Sequence, residues 1–497
     1  MKESKNYDSE FCGSLPIHMI NVIQPYGALI VVNKEIGEII QVSENVQNIL
    51  GKPIQQIIGS SISTIIPIRP PASGKEKVPQ ILHINGRRYL GFVHNKPTYY
   101  IIEINLQSVN NADDGSFMDV YQDVSVAMTT IEKANTLEEA ASICAKELKA
   151  ASGFDKVMIY RFDEDWNGHV VAEDREADME SYLHFTFPAS DIPKPARDLY
   201  EKNPYRLIPD TQYTPVRMYP VINPATHAFI DLSDCNVRGV SAVHLEYLTN
   251  MHVRASMSTR IMLDNKLWGL IACHHKNPIQ VDYKICAIFE LMSGIFSARI
   301  TSLESKERHT FKATLSEKYT SMVEAAYRSG NIPASLLSDE NNILELFNAG
   351  GAIVVQNGSS FKKGRVPDAH EVEDIVLWLN TLEISEIFVT DNLQQEFDYA
   401  VEYTNIASGM MAIPIDISNN EYILLFRPEV VQTINWGGDP NTRLTFENDM
   451  KTYHPRFSFK MWQENVKGVS APWKKEELAM AENLQEFVRD FNTKNQL

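Results

Sequence analysis

The chain has 497 residues, 44% hydrophobic and 22% charged, an ordinary globular balance with room for about three domains. Its 46 basic and 64 acidic side chains leave a net charge of −18, which argues against nucleic acid as a partner, because phosphate binding needs a basic footprint. No uninterrupted apolar run reads as long enough to span a bilayer, and the start, MKESKNYDSE, is polar and acidic. Neither a signal peptide nor a membrane span is therefore expected, and the expected compartment is the cytoplasm.

In chain order, residues 1–17 read as an irregular arm. From 18 to 117 short β-rich runs dominate (GALIVVN, GEIIQVS, QILHING, RRYLGFVHN, TYYIIEINL), with VQNILG and PIQQIIG as short helices between them. A second unit, 118–300, opens with helical sequence to residue 150. It continues with paired strands at KVMIYRF and GHVVAED, a long irregular stretch over 201–242, and a hairpin turning at LDNKL. From Tyr283 to Arg328 there is no proline and a single glycine, Gly294, which predicts one helix of about 45 residues, roughly 70 Å long. Residues 301–497 hold a third unit that ends in a charged amphipathic helix, KKEELAMAENLQEFVRDFN. The predicted fold class is α+β: three domains, each an antiparallel sheet flanked by helices, on a helical spine.

The five cysteines, Cys12, Cys144, Cys235, Cys273 and Cys286, are odd in number and contain no CxxC, so neither a disulfide framework nor a structural zinc site is expected. Cys144 and Cys273 lie in a helical run and a strand and read as buried small hydrophobes, whereas Cys12 sits in a polar tail.

The segment FPASDIPKPARDLY (187–200) is unusually stiff. Pro188, Pro193 and Pro195 bracket Asp191 and hold Ile192 extended, so the Asp191 carbonyl has few directions available. A rigid strand-to-helix turn would explain this, and so would a main-chain oxygen aimed at a ligand. Downstream, His244 and Tyr247 are spaced to share one face of a helix. Arg254, Ser256 and Ser258 alternate onto one strand face, with Arg206, Arg238, Tyr200 and the inward-drawn His274 nearby. Arginines with hydroxyls suit carboxylates or phosphates, and one such pair contributes roughly 4 kcal/mol at an effective dielectric near 20 before desolvation. Spacing alone does not name the ligand; a regulatory domain for a small ligand such as a cyclic nucleotide and a Cys–His enzyme or metal site are among the readings it leaves open.

Six runs carry a resemblance: CGSLPIHMINVIQPYGAL (12–29), FPASDIP (187–193), VRGVSAVHLEYLTNM (237–251), LWGLIACHH (267–275), INWGG (434–438) and PRFSF (455–459). Over essentially its whole length the chain resembles the photosensory core of a phytochrome, most closely a bacteriophytochrome, in the order PAS, GAF, PHY. The resemblance implies biliverdin IXα, a linear tetrapyrrole, joined by a thioether to Cys12. Relatives that attach through the other domain carry a cysteine where this chain has Val243. It further implies that the Asp191 carbonyl and His244 accept bonds from pyrrole NH groups, with Ile192 and Pro193 beside them, and that His274 meets the terminal ring. Arg206, Arg238, Arg254, Tyr200, Ser256 and Ser258 are implied to hold the propionates, and Tyr160, Phe187 and Tyr247 to wall the ring that isomerises.

The resemblance also implies a hairpin "tongue" at about 434–475, with Trp436, Arg456, Ser458 and Trp462, in which Arg456 pairs with Asp191. In RFSFKMWQENV, Phe457, Phe459 and Met461 fit a strand period, while Phe459, Trp462 and Val466 fit a helical one, as a bistable element would. The implied activity is red/far-red sensing between Pr and Pfr states, without enzymatic activity. The implied partners are a second copy through the long helices, a C-terminal output domain and a response regulator, with no nucleic acid and no membrane. Tyr26 and His252 stand where relatives often carry His and Gly, and His169 where an acid is common.

Overall fold

The computed structural model describes residues 17–71, 77–108, 117–382, 384–440, 444–446, 453–455 and 458–495. They form two compact units: residues up to Leu303 together with Asn435–Trp462, and Glu304–Ile434 together with Gln463–Leu497. Of the expected tongue, Asn435–Trp462 falls in the first unit, and Ile434 and the residues from Gln463 onward fall in the second.

The first unit contains two large sheets and a two-stranded one, Leu444–Phe446 with Tyr453–Pro455. One runs Val22–Ile23, Val216–Tyr219, Ile39–Ser43, Gly27–Asn33, Tyr99–Ser108, Arg87–Asn95, Lys77–Ile84. The other is built on Tyr205–Ile208, Ala255–Leu263, Lys266–His275, Lys156–Phe162 and Gly168–Arg175, extended by Thr186–Phe187 and by tongue strands. The 201–242 stretch is not wholly irregular. Tyr205–Ile208 edges the second sheet, and Val216–Tyr219 enters the first, antiparallel to Val22–Ile23 and Ile39–Ser43. Polar, proline-spaced sequence hid both strands from periodicity. In the LDNKL hairpin, Asp264 (φ 48°) and Asn265 (φ 62°) take the left-handed geometry that a tight two-residue turn requires.

The second unit has an antiparallel sheet in the order Ser359–Gly364, Gly351–Gln356, Glu421–Arg427, Gly409–Asp416, Phe388–Thr390. The last helix, Lys475–Asn495, buries Ala481, Leu484, Val488 and Phe491 in that unit's core.

The long helix is continuous over Tyr283–Ser329, 47 residues. Its apolar residues serve two cores: Phe289, Met292, Phe296 and Ile300 in the first unit, then Leu315, Met322 and Ala326 in the second. Between them Ser305–Thr310 is exposed. An 18-residue window of this helix, mean hydropathy 1.3, is long and apolar enough to cross a membrane, contrary to the reading from the sequence. Part of that apolar surface, including Phe289, Met292, Phe296 and Ile300, is buried in the first unit's core.

The two large sheets of the first unit are tied together by buried polar contacts. Gln24 donates through its main-chain N to Val237 O (2.8 Å) and through Nε2 to Leu207 O (3.0 Å) and Arg238 O (3.2 Å). Gly27 lies so close to Val237 that a Cβ would sit 2.1 Å from Val237 Cγ1. Beside this seam, His94 Nε2 is 2.8 Å from Glu103 Oε2, and His94 Nδ1 is 3.2 Å from Asp234 Oδ2. Lys96 Nζ also meets Asp234, at 2.8 Å. Burial opposes charge on His94, yet Cys235, Asp234 and Glu103 around the ring outweigh it and hold its pKa well above the ordinary value. Burial likewise opposes the Asp234 carboxylate, but His94 and Lys96 hold its pKa well below the usual range.

The sign of the pH dependence follows. The raised His94 contributes stability that is full below about pH 6.5 and declines as pH climbs through its folded value. The depressed Asp234 contributes stability that is full above about pH 4 and declines on further acidification. His94→Ala is expected to cost about 3–5 kcal/mol, because it leaves the buried Glu103 carboxylate without its cation, while Asp234 keeps Lys96. Urea unfolding should show the larger loss at pH 6 and a smaller one at pH 9; a loss under about 1 kcal/mol at both would contradict an ionised clamp.

Candidate functional site

Four of the six quoted runs, 12–29, 187–193, 237–251 and 267–275, contribute to one cavity of about 540 Å³ in the first unit. That lies within the range that buries a drug-sized ligand. Of the fourteen residues expected around a ligand, thirteen line it. Arg254 does not. It precedes its strand, and its guanidinium is turned to Asp210 Oδ1 (Nη2 at 2.8 Å, Nε at 3.2 Å). A local carboxylate satisfies it, and strand alternation cannot reveal that.

One wall comes from FPASDIP and the helix after it. Ala189–Asp191 is a single tight turn, and Pro193 caps the helix Lys194–Lys202. Ile192 (φ −128°, ψ 78°) lies outside the extended region expected of it. The segment brings Ser190, Asp191, Ile192 and Pro193 to the cavity. The Asp191 carboxylate accepts from Tyr247 Oη at 2.8 Å. The second wall is the helix Ala242–Asn250, capped by Ser241, on which His244 and Tyr247 stack with ring planes 10° apart and centroids at 6.0 Å. Val243 also lines the cavity. The floor is sheet: Ser256 and Ser258 on one strand, His274 on the next, and Tyr200 Oη 2.6 Å from Ser258 Oγ.

The electrostatics divide the cavity. At one end stand Arg206 and Arg238. Arg206 donates to Gly239 O (2.9 Å) and Arg238 to Ile17 O (3.3 Å), and among the described residues neither has a carboxylate partner. Burial, then the neighbouring Arg206 charge, pushes Arg238 down to about 9, and burial lowers Arg206 as well. Two buried cations that repel each other make an anion receptor. Among the described residues, Arg206 Nη1, Arg238 Nε, Ser190 Oγ and Asn203 Oδ1 are buried without a hydrogen-bond partner, as is His274 Nδ1.

The other end is apolar and neutral. Tyr160, Tyr182 and Phe187 are 7%, 3% and 4% exposed. A Cβ on Gly168 would lie 1.7 Å from Tyr160 Cζ, so only glycine lets that ring lie where it does. Burial, followed by the charge of Arg206, lowers His244 to about 4. Burial, followed by the charges of Lys156 and His244, lowers His274 to about 3. Both are neutral imidazoles at pH 7, able to accept from an NH donor or to donate to a carbonyl. Cys273 points to the opposite face, into the core with Cys144, so no Cys–His pair forms there.

The tongue meets this end. Phe459, 5% exposed, sits edge-on to Tyr247 (5.0 Å, 83°), and Trp436 pairs in parallel with Thr186. A Cβ on Gly437 would lie 2.6 Å from Phe187 Cε1, which explains a glycine after Trp436. Ser458 is exposed, Trp462 half-buried, and Met461–Val466 is a strand, one of the two periods its sequence carries. Cys12 and Arg456 lie outside the described residues.

Three residues left without a reading now have surroundings. His169 bridges Thr186 Oγ1 (2.9 Å) and Asp163 Oδ2 (3.1 Å), beside the tongue pairing. His252 takes a left-handed φ of 58°, the conformation glycine favours. Tyr26 Oη donates to Asn236 O at 2.9 Å. The sequence reading missed Tyr182 and Met158 on the cavity wall; alternation from Tyr160 would have found Met158.

Among solved structures, a bacteriophytochrome from the photosynthetic bacterium R. palustris superimposes with a TM-score of 0.84 at 32% identity, covering 98% of this chain and 99% of that one. The chain belongs to the phytochrome family. A phytochrome photosensory core module from Stigmatella aurantiaca gives 0.82, also at 32% identity, over 97% and 98% of the two chains. The PAS fold matches residues 12–70, the GAF domain 136–300 and the phytochrome region 315–496, so the order is that of a phytochrome core. Cyanobacterial phytochrome B from Nostoc sp. is 36% identical over 97% of this chain, and a Pseudomonas aeruginosa bacteriophytochrome is 33% identical over 95%. The chain spans about two thirds of these phytochromes, 66% and 65% of their lengths.

An unpaired buried cation destabilises the empty protein. Arg238→Met is therefore expected to stabilise the ligand-free chain by about 1–3 kcal/mol in urea unfolding while weakening retention of an anionic ligand; a destabilised apoprotein with unchanged retention would contradict an anion receptor.

Proposed function

We propose that this chain is the photosensory core of a red/far-red photoreceptor that carries biliverdin IXα on a thioether to Cys12. The reading divides the chain into an arm (1–17), PAS (18–117), GAF (118–300) and PHY (301–497) regions. The observation that carries it is the polarity of the cavity: two guanidiniums without anions at one end, neutral imidazoles and aromatic rings at the other. A linear tetrapyrrole has that pattern, with two propionates, a row of NH donors and an apolar terminal ring.

When bound, the bilin supplies light absorption and double-bond isomerisation between Pr and Pfr states. The protein supplies the rest. Arg206 and Arg238, helped by Tyr200, Ser256 and Ser258, hold the carboxylates. The Asp191 carbonyl and His244 accept from NH groups, which would otherwise cost about 1–3 kcal/mol each if buried unpaired. Tyr160, Phe187 and Tyr247 confine the terminal ring, and His274 meets its carbonyl. A displaced Tyr247 would disturb both Phe459 and the Asp191 carboxylate, the proposed partner of Arg456. The tongue, including Trp436, Ser458 and Trp462, then shifts between its two periods. The long helix carries the change toward an output domain and a response regulator. In this reading the chain works in the cytoplasm as a homodimer paired along its long helices, and is a sensor without catalytic residues.

Two experiments test the reading. Apoprotein mixed with biliverdin should keep a zinc-fluorescent pigment band after denaturation, and Cys12→Ala should lose it; an undiminished band sinks the attachment. Alternating red and far-red illumination of the holoprotein should interconvert two spectra reversibly, and an unchanging spectrum would overturn the receptor reading.

A further inference from the structure

The strand Lys156–Phe162 sends Val157 and Ile159 into one core, and Met158, Tyr160 and Phe162 into the aromatic cluster at the neutral end of the cavity. By the same alternation Lys156 belongs to the cavity side. It lies directly across the ladder from His274 and is 1% exposed. Its Nζ donates to Glu180 O at 2.6 Å and stands 3.8 Å from the centre of the Tyr182 ring, which lines the cavity.

Lysine is almost never fully buried unless paired, and this pairing is poor. The nearest carboxylate oxygen, Glu173 Oε1, is 3.7 Å away and is shared with Arg175 Nε at 3.6 Å. Glu173 spends its other oxygen on Ser181 Oγ and on the main-chain N–H groups of Tyr182 and Leu183. The charged and titratable groups around Nζ are thus Glu173 and Arg175 from the neighbouring strand, Glu180 and Tyr182 from the following loop, and His274 from the strand opposite. Burial outweighs the attraction of Glu173 and Glu180 and lowers Lys156 to about 8.

Resting on the proposed bilin reading, we propose that Lys156 is a positioning residue whose buried ammonium, acting through Tyr182 and His274, sets the electrostatic potential at the terminal-ring end of the cavity. Its charge is then read in the colour and proton affinity of the bound pigment. A nearby ammonium disfavours a protonated bilin, so removing it should raise the pigment's proton affinity.

The test loads wild type, Lys156→Met and Lys156→Arg with biliverdin and titrates the long-wavelength absorption band from pH 6 to 11, before and after illumination. Wild type should show a small step in band position near pH 8, and both variants should lack it, because Met carries no charge and Arg keeps its charge throughout. Lys156→Met should hold the pigment's proton roughly five- to thirtyfold more tightly than Lys156→Arg, as for one charge about 8–15 Å away at an effective dielectric near 20. Superimposable titrations for all three proteins would overturn the inference while leaving the receptor reading intact. If Lys156→Met takes up no pigment, Lys156→Arg decides alone, and a retained step near pH 8 overturns it. Wild type that takes up no biliverdin would overturn the receptor reading and this inference with it.

Discussion

Two enclosed guanidiniums without a carboxylate partner among the described residues are the constraint around which this molecule is organised. Arg206 and Arg238 repel, and desolvation lowers both. Such a pair persists because the surrounding backbone fixes it. The Arg206 side chain is held by Gly239 O, and the Arg238 carbonyl by Gln24. Gln24 of the first domain thus helps to position a residue of the cationic end of the cavity.

The same logic explains why two domains share one compact unit. Gln24, the close approach at Gly27 and the strand Val216–Tyr219 join them through main-chain geometry, and the His94–Glu103–Asp234 cluster joins them through charge. A rigid frame matters where a ligand is to exert force. A pocket that could relax freely around a changed guest would transmit nothing, whereas packed cores respond in discrete steps. The aromatic end opens such a path, since Tyr247 touches both the Asp191 carboxylate and Phe459 of the tongue.

Much of this was legible in the sequence, for reasons that differ by element. The long helix follows from the lack of proline over the 46 residues from Tyr283 to Arg328, and the hairpin from paired runs around LDNKL. Proline spacing announced the stiff turn at Asp191. Arg254 misled because strand alternation places a residue on a face and says nothing of the acid that claims it; Asp210, 44 positions earlier, does so. The strand at 216–219 was hidden because its partners come from another domain and its own sequence carries no period. Lys156 escaped because a strand reading of KVMIYRF treats its first residue as an exposed end, when it is the most deeply enclosed charge beside the cavity. The tongue segment was correctly ambiguous: its strand geometry uses one of two periods that both remain in the sequence.

The most direct measurement compares equilibrium binding of biliverdin and of its dimethyl ester to the apoprotein at pH 7.5. The ester is nearly the same shape but cannot place an anion on Arg206 and Arg238. Hydrogen bonds to charged groups contribute about 1.5–3 kcal/mol each, so even one such contact should make the free acid bind about ten- to 150-fold more tightly. Equal affinity for the two would contradict the account at its root, because the paired cations would then have no anion to receive.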